Sequence, residues 1–213
     1  MPREEAIKAI IFIDGNNFYH NVKKIDIRPS KINFPKVTEM LCKKFNLEKK
    51  GVHYYNSVPN IKTIGEENYY KHMSFLSDLE KSGIKVHTRK LQHLSNIELI
   101  TKKVSQLQKL KICDNCKPIV TQNCIDCVGS FEEHEKGIDV MIVVDMIQLA
   151  LKNEYDVGVL ISGDADFIPA LDLIKKNWKR VIVAFVSAGF SRELRQTQEY
   201  TYLDEIIFSS LKE

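Results

Sequence analysis

Short apolar runs alternate with segments whose apolar residues recur at helical spacing along most of the chain. The five runs typical of buried strands are AIKAIIFID, GVHYYNSV, IKVHTRKL, DVGVLIS and RVIVAFVS. Between them, segments such as PKVTEMLCKKFN place Val37, Leu41 and Phe45 on one helical face. Near-continuous apolar strands that alternate with helices are typical of a parallel sheet covered on both faces. We therefore expect a three-layer α/β/α fold with a mainly parallel, five-stranded sheet.

One region interrupts this alternation. Residues 95–135 hold four of the five cysteines and few large apolar residues. The helical segment that follows, GIDVMIVVDMIQLALKN, is apolar around most of its surface, and we expect it to be largely buried. The pattern predicts one domain over residues 1–213, with an inserted subdomain at 95–135 between the third strand and this helix.

The overall composition is that of an ordinary globular protein, with 44% apolar and 28% charged residues. No apolar run approaches the ~20 residues needed to cross a bilayer, and the first residues do not resemble a signal peptide. We expect a cytoplasmic protein with no membrane partner. The net charge of +3 does not by itself indicate a nucleic-acid partner. Basic residues outnumber acidic ones in segments 23–36 and 98–117, which are either solvated helix faces or surfaces that follow phosphates.

Four acidic residues from three distant segments are predicted to meet at one edge of the sheet. Asp14 follows the first strand, and Asp164 and Asp166 follow the fourth. Asp139 opens the long apolar helix, and such helices begin at the carboxyl edge of the strands. In open parallel sheets this edge binds ligands where the strand order reverses. Asp145, six residues after Asp139 and about 120° around the helix, is expected to orient that helix or to support the cluster.

Converging carboxylates repel one another unless a cation neutralises them. Mg²⁺ or Mn²⁺ suits an all-oxygen site, and such an ion can activate water and stabilise charge on a phosphodiester. A purely structural interpretation stays open, in which Asp166 caps the next helix and Asp14 belongs to a turn. Asn16 or Asn17 is expected to cap the first helix. The sequence has no Walker loop and no GxGxxG pattern, and Phe12 stands where a haloacid-type phosphatase needs an acid.

Three motifs carry a resemblance to a known family: IFIDGNN, KGIDVMIVVDM and VLISGDADFIPAL, in that order. Together with the later SAGFSRELRQTQEYTYLDE, they resemble the NYN domain family in its LabA-like or DUF88 branch, within the PIN-like nuclease superfamily. The resemblance implies a Rossmann-like PIN fold and a metal-dependent ribonuclease activity. Ala165 stands where the family usually has Ser, so any hydroxyl role at that position is lost.

The resemblance also implies roles for individual residues. Asp14, Asp139 and Asp164 are expected to bind one Mg²⁺ or Mn²⁺, and Asp166 to complete or orient the cluster. Asn17 and Ser162 are expected to orient the phosphate. Four basic residues are expected to contact RNA because of their position near the predicted site, and not because of the resemblance: Lys102, Lys103, Lys111 and Arg192. Two other functions stay open: a nucleic-acid-binding regulatory scaffold with a weak or inactive acidic site, and a metal-dependent phosphohydrolase of small nucleotides. A homodimer is compatible with each.

The cysteines of the insertion form two CxxC pairs, and seven residues separate the pairs. They are Cys113, Cys116, Cys124 and Cys127. Two CxxC pairs, each forming a tight turn called a knuckle, are typical of tetrahedral Zn²⁺ sites. Redox or disulfide pairing is the alternative. Because four thiolates close the coordination shell, we expect a structural zinc ion that supplies folding energy to a short segment.

Overall fold

A computed structural model of the chain describes residues 6–90, 92–93, 104–109, 111–126, 133–134, 137–177 and 179–211. The chain forms two compact units, which we describe separately. The first comprises Met1–Ser57, Tyr70–Arg89 and Gly137–Glu213, and the second comprises Val58–Tyr69 and Lys90–Lys136. The domain boundaries inferred from the sequence, including an insertion at 95–135, stay a prediction.

Within the described residues, eight strands form two sheets. In chain order they are β1 (Lys8–Asp14), β2 (Glu48–Val58), β3 (Lys85–Lys90), β4 (Gln92–His93), β5 (Glu133–His134), β6 (Val157–Ile161), β7 (Arg180–Phe185) and β8 (Glu199–Tyr202). The main sheet has six parallel strands in the order β3-β2-β1-β6-β7-β8, whereas β4 and β5 form a separate antiparallel pair. The sequence predicts five strands because the sixth, β8, is only four residues long. Its alternating EYTY pattern buries Thr201 alone and lacks the apolar run of a central strand.

Nine labelled helices accompany the strands in the described part of the chain. They are α1 (Gly15–Lys23), α2 (Phe34–Lys44), α3 (Ile61–Ile64), α4 (Glu66–Lys81), α5 (Lys117–Asp126), α6 (Ile138–Leu151), α7 (Ile168–Lys176), α8 (Arg192–Thr197) and α9 (Asp204–Ser210). Residues 104–108 are also helical, and short 3₁₀ turns occupy Pro29–Lys31 and Ala165–Phe167. None of the described helices is both long and apolar enough to cross a membrane.

Helices cover both faces of the main sheet, so the predicted three-layer α/β/α fold is confirmed. On one face, a single core joins the strands to α6 and α7 and includes Phe12, Leu160, Val183, Ile142 and Leu171. On the other face, α1 and α2 meet the sheet through aromatic rings. Phe34 lies 5.4 Å from Phe18 and 5.5 Å from Tyr54, measured between ring centroids. Burying these aromatic rings favours the packing of that layer on the sheet.

Helix α6 is less buried than its sequence predicts. Its buried stripe consists of Ile138, Ile142, Met146 and Ala150. Val140, Val144 and Leu151 on the opposite side are 64%, 53% and 69% exposed. An all-round apolar helix usually lies inside a protein, but α6 packs on one face of a single sheet, so only one stripe is covered.

The strand order reverses between β1 and β6. The chain runs outward from β1 through β2 to β3, and then from β6 through β7 to β8 in the opposite direction. Strands β1 and β6 pair directly, with Ile13 opposite Ile161. Residues that follow these two strands therefore lie together at the switch point, where open parallel sheets bind ligands.

Candidate acidic site at the switch point

Asp14 ends β1 and also starts α1. Its side chain accepts a hydrogen bond from the Asn17 backbone N–H at 3.1 Å, which makes it the N-cap of the helix. The sequence predicts Asn16 or Asn17 in this role, and that prediction is wrong because the cap position falls on the acid itself. The Asp14 residue is only 4% exposed, so it is a buried carboxylate. Its charge, together with burial, raises the pKa of the neighbouring Tyr54 phenol, with burial the larger cause.

Asp14 is joined to the end of β6 by side-chain hydrogen bonds. The Ser162 hydroxyl donates to Asp14 Oδ2 at 3.0 Å, and its oxygen accepts from the Asp164 N–H at 3.2 Å. Asn17 Oδ1 accepts from the Gly163 N–H at 2.9 Å. These bonds connect the two strand ends. We call the edge formed by Asp14, Asn17, Ser162 and Asp164 the acidic rim. Asp14, Asn17, Ser162 and Asp164, predicted from the sequence to lie together, are neighbours here.

Asp164 and Asp166 lie in the short turn after β6. Asp164 caps the 3₁₀ turn, since its Oδ1 accepts from the Asp166 N–H at 3.0 Å. The sequence analysis considered Asp166 as the cap of the next helix, but α7 begins after Phe167 with no side-chain cap, and Asp164 caps only the 3₁₀ turn before it. Asp164 is half-buried and Asp166 is exposed. One oxygen of Asp164 serves this cap, and Asp166 follows it by two residues in the same turn.

Asp139 lies in the first turn of α6, on its exposed side. The helix follows Gly137, whose φ of +83° favours glycine, and it runs back toward the start of β6. Its first turn therefore lies toward the carboxyl edge. Among the described residues, however, no three ligand atoms of Asp14, Asp139, Asp164 and Asp166 lie within 4.8 Å of one another. In this structure the four acids share an edge without forming a closed set of ligands.

The structure describes two of the four basic residues that were predicted to contact RNA. Arg192 is exposed and opens α8, next to Ser191, whose N–H donates to the Gly163 carbonyl at 2.8 Å. This bond places the start of α8 beside the acidic turn. Lys111 is exposed and belongs to the second unit. Lys102 and Lys103 lie outside the described residues.

Sequence reasoning missed a group of stacked aromatic rings near the same edge, which we call the aromatic strip: Phe185, Phe190, Tyr200 and Tyr202. Phe185 stacks on Phe190 at 4.6 Å and on Tyr200 at 5.5 Å between ring centroids. Tyr200 and Tyr202 are 39% and 37% exposed. Alternate residues of a strand share a face, so the EYTY pattern would have predicted this surface had β8 been recognised.

Only part of the predicted cysteine cluster can be described. Cys113 and Cys116 are exposed, and the Cys116 N–H donates to the Cys113 carbonyl at 3.1 Å, which closes a tight turn. A hydrogen bond between the two thiols lowers the pKa of Cys113 and raises that of Cys116. The side chain of Cys124 and all of Cys127 lie outside the described residues. The first pair thus has the local form of a knuckle.

A second group consists of two histidines, which the sequence analysis missed, and Asp145, which it expected to orient α6 or to support the acidic cluster. His53 Nδ1 lies 3.1 Å from His87 Nε2, and His87 Nδ1 lies 3.8 Å from Asp145 Oδ2. Tyr55 donates a hydrogen bond to Asp145 Oδ2 at 2.8 Å. Burial, helped by the nearby His87, lowers the pKa of His53 to about 4. These residues come from β2, β3 and α6, and no short motif links such distant segments.

Comparisons with known proteins agree with this architecture. Residues 8–205 match the model of the NYN domain. A crystal structure of a protein of unknown function, VPA0982 from Vibrio parahaemolyticus, is 20% identical with a TM-score of 0.58, covering 97% of this chain and 99% of that one. At that identity the likeness shows the fold alone.

Two curated relatives match shorter segments. The low amplitude and bright protein LabA from Synechococcus elongatus is 35% identical over 71 residues, and an uncharacterized protein, MJ0482, from Methanocaldococcus jannaschii is 35% identical over 63. The match to LabA covers 33% of this chain and 37% of LabA. The match to MJ0482 covers 30% of this chain and 26% of that relative. The family match spans nearly the whole chain, and so the protein belongs to the NYN domain family, within the PIN-like nuclease superfamily.

Proposed function

We propose that this protein is a metal-dependent ribonuclease whose centre is the acidic rim at the switch point. The observation that carries the proposal is the hydrogen-bonded link from Asp14 through Ser162 to Asp164, at adjacent strand ends in an NYN domain. Asp14 caps α1 and accepts from Ser162, but a neutral oxygen acceptor could make either hydrogen bond, so neither bond requires a carboxylate. A divalent cation would offset the repulsion between the neighbouring carboxylates at this edge.

The side chains of the rim fit a hard divalent cation. Carboxylate oxygens are the ligands that Mg²⁺ and Mn²⁺ prefer, and Asp14, Asp139 and Asp164 would hold the ion, with Asp166 completing or orienting the set. When bound, such a cation activates water for attack on phosphorus and offsets the developing negative charge. For this, Asp139 and the turn after β6 must approach Asp14 more closely than they do here.

The neighbouring polar residues would position the substrate. Asn17 Oδ1 is engaged by the Gly163 N–H, which leaves its amide NH₂ as the group that would donate to a phosphate oxygen. Ser162 gives its hydroxyl hydrogen to Asp14, so we assign it to orienting that carboxylate. Arg192 would contact the RNA backbone, and the exposed tyrosines of the aromatic strip would stack on bases. Lys102, Lys103 and Lys111 are proposed as further RNA contacts, and a cytoplasmic location and a homodimer stay predictions.

Cleavage of an end-labelled RNA panel, with Mn²⁺, with Mg²⁺ and with EDTA, tests the proposal. We expect Asp164→Asn to lower metal-dependent cleavage by at least about 100-fold, since that is already the upper range for residues that only orient metal ligands. Part of the activity should survive because Asp166 lies two residues away. Asp78→Asn, which changes an exposed acid paired with Lys81 on α4, is the matched control and should cleave like wild type.

Other outcomes would favour the other functions. Salt-sensitive RNA binding without cleavage would support a regulatory scaffold with an inactive acidic site. Hydrolysis of mononucleotides but not of polymers would support a small-nucleotide phosphohydrolase. Equal cleavage by wild type and Asp164→Asn would identify a contaminating nuclease and remove the basis of the proposal.

We also propose that Cys113, Cys116, Cys124 and Cys127 hold a structural Zn²⁺. The tight turn between the first two thiols supports this, since such a turn aims both at one ion. We expect Cys113→Ser to lose about one zinc ion per chain, measured by elemental analysis of the purified protein. Cys42→Ala is the control, because Cys42 is buried in α2 and should not affect zinc content. Equal zinc in Cys113→Ser and wild type would contradict the site, and a disulfide found by non-reducing mass analysis would replace it.

A further inference from the structure

We propose that His53, His87 and Asp145 form a second metal site, for a divalent transition ion such as Zn²⁺, on the sheet face covered by α6. The site is separate from the acidic rim and does not rest on the nuclease proposal. In the part of the chain that the structure describes, these three side chains are the one group whose ligand atoms all lie within 4.8 Å of one another. Each ligand comes from a different element, β2, β3 and α6.

The spacing of the ligand atoms is close to that of a tetrahedral zinc shell. Two ligands with bonds of 2.0–2.1 Å in a tetrahedron lie about 3.3–3.4 Å apart. The His53 Nδ1 and His87 Nε2 atoms are 3.1 Å apart. One choice of ligand atom from each residue keeps all three pairs within 4.8 Å, so no pair in that set is more than about 1.5 Å longer than the tetrahedral spacing. Rotation of side chains can supply such a movement without rearranging the strands.

The protonation and orientation of the ligands favour metal binding. Burial lowers the pKa of both histidines, so at neutral pH their rings are neutral, the form that binds metals. Tyr55 donates to Asp145 Oδ2 at 2.8 Å and holds the carboxylate, as is usual for metal-binding acids. His53 is only 6% exposed, whereas the side chains of His87 and Asp145 are 28% and 26% exposed. An ion can therefore enter from the β3 side.

Two imidazoles and one carboxylate select a different ion from that of the acidic rim. Imidazole suits Zn²⁺ and the neighbouring transition metals, whereas Mg²⁺ and Ca²⁺ prefer oxygen ligands alone. The ion would neutralise the charge of Asp145 and join the edge strand β3 to β2 and α6. Three protein ligands would leave a fourth position for water or for the Tyr55 oxygen.

Zinc content measured on the full chain after equilibration with micromolar Zn²⁺ tests the site. We expect His87→Gln and Asp145→Asn each to hold about one ion fewer than wild type, with an apparent affinity at this site weakened by more than about 100-fold. His72→Gln is the matched control, because His72 is also half-buried and hydrogen-bonded, to Asn56 at 2.9 Å, but lies outside the group. Any zinc held by the cysteines is common to all these proteins and cancels in the comparison.

A second measurement on wild type does not depend on how the variants fold. Long-range ¹H–¹⁵N spectra should show the ring nitrogens of His53 and His87 shifting on addition of Zn²⁺, while those of His72 stay in place. Unchanged His53 and His87 signals, or wild-type zinc content in a folded His87→Gln, would overturn the proposal. The group would then be a hydrogen-bonded polar cluster only.

Discussion

Asp14→Asn should lower metal-dependent RNA cleavage by about 10³-fold while costing only about 1 kcal/mol of unfolding free energy. The loss of rate follows from the loss of charge. A catalytic cation contributes several kcal/mol of transition-state stabilisation, and about 4 kcal/mol corresponds to that factor. Among the acids of the rim, Asp14 is the buried one, and solvent cannot substitute for its charge.

The small cost in stability follows from the hydrogen bonds around Asp14. Asparagine keeps an oxygen that can accept from the Asn17 N–H, so the cap of α1 survives. The new NH₂ group would face Ser162, whose oxygen has two acceptor sites and uses one for the Asp164 N–H. The Ser162 hydroxyl hydrogen then loses its partner. The substitution therefore separates the charge of Asp14 from its role in the fold.

Cleavage rates and urea unfolding of the same preparations measure this prediction. Asp156→Asn is the control, because Asp156 accepts from the Lys8 N–H at 2.9 Å at the opposite edge of the sheet. That variant should keep the wild-type rate. If Asp14→Asn cleaved RNA as fast as Asp156→Asn, the acidic rim would not be the centre of the reaction.

Gly163→Ala should lower the unfolding free energy by about 3 kcal/mol or more, the upper range for overpacking a filled site. A Cβ at this position would lie 2.0 Å from the Gly189 carbonyl oxygen and 3.0 Å from Phe190 Cα. These atoms belong to the backbone and cannot rotate away. Two hydrogen bonds also hold the backbone of Gly163. Its N–H donates to Asn17 Oδ1, and its carbonyl accepts from the Ser191 N–H. The methyl group must therefore force apart the segments that follow β6 and β7.

Thermal unfolding gives a direct readout, with an expected fall in Tm of about 6–12 °C for a chain of this length. Gly51→Ala in β2 is the matched control, since the nearest atom to its Cβ would be His53 Nε2 at 3.9 Å. That variant should stay within about 0.5 kcal/mol of wild type. Equal stability of the two variants would mean that the contact between Gly163 and Gly189 is not as close in solution.

The sequence predicts the layered architecture well because its signal is local and repeated. Each central strand is buried on both faces, so its sequence is a run of apolar residues. In each helix, apolar residues recur at helical spacing. The same signal fails at β8, where an edge strand needs no apolar run, and along α6, where an all-round apolar helix is covered on one side only. The local pattern of apolar residues predicts which surface of a segment can be buried. The packing of neighbouring helices and strands decides how much of that surface is buried.

The candidate site could also be predicted only in part from the sequence. The sequence by itself determined that Asp14 and the Ser162–Asp166 turn end two parallel strands, because a strand's carboxyl end can be read from where its apolar run stops. Only the tertiary structure decided that these strands are neighbours, that Ser162 connects Asp14 to Asp164, and that His53, His87 and Asp145 meet. The physical reason is that strand order and helix rotation are set by contacts across the whole core, which no single segment encodes.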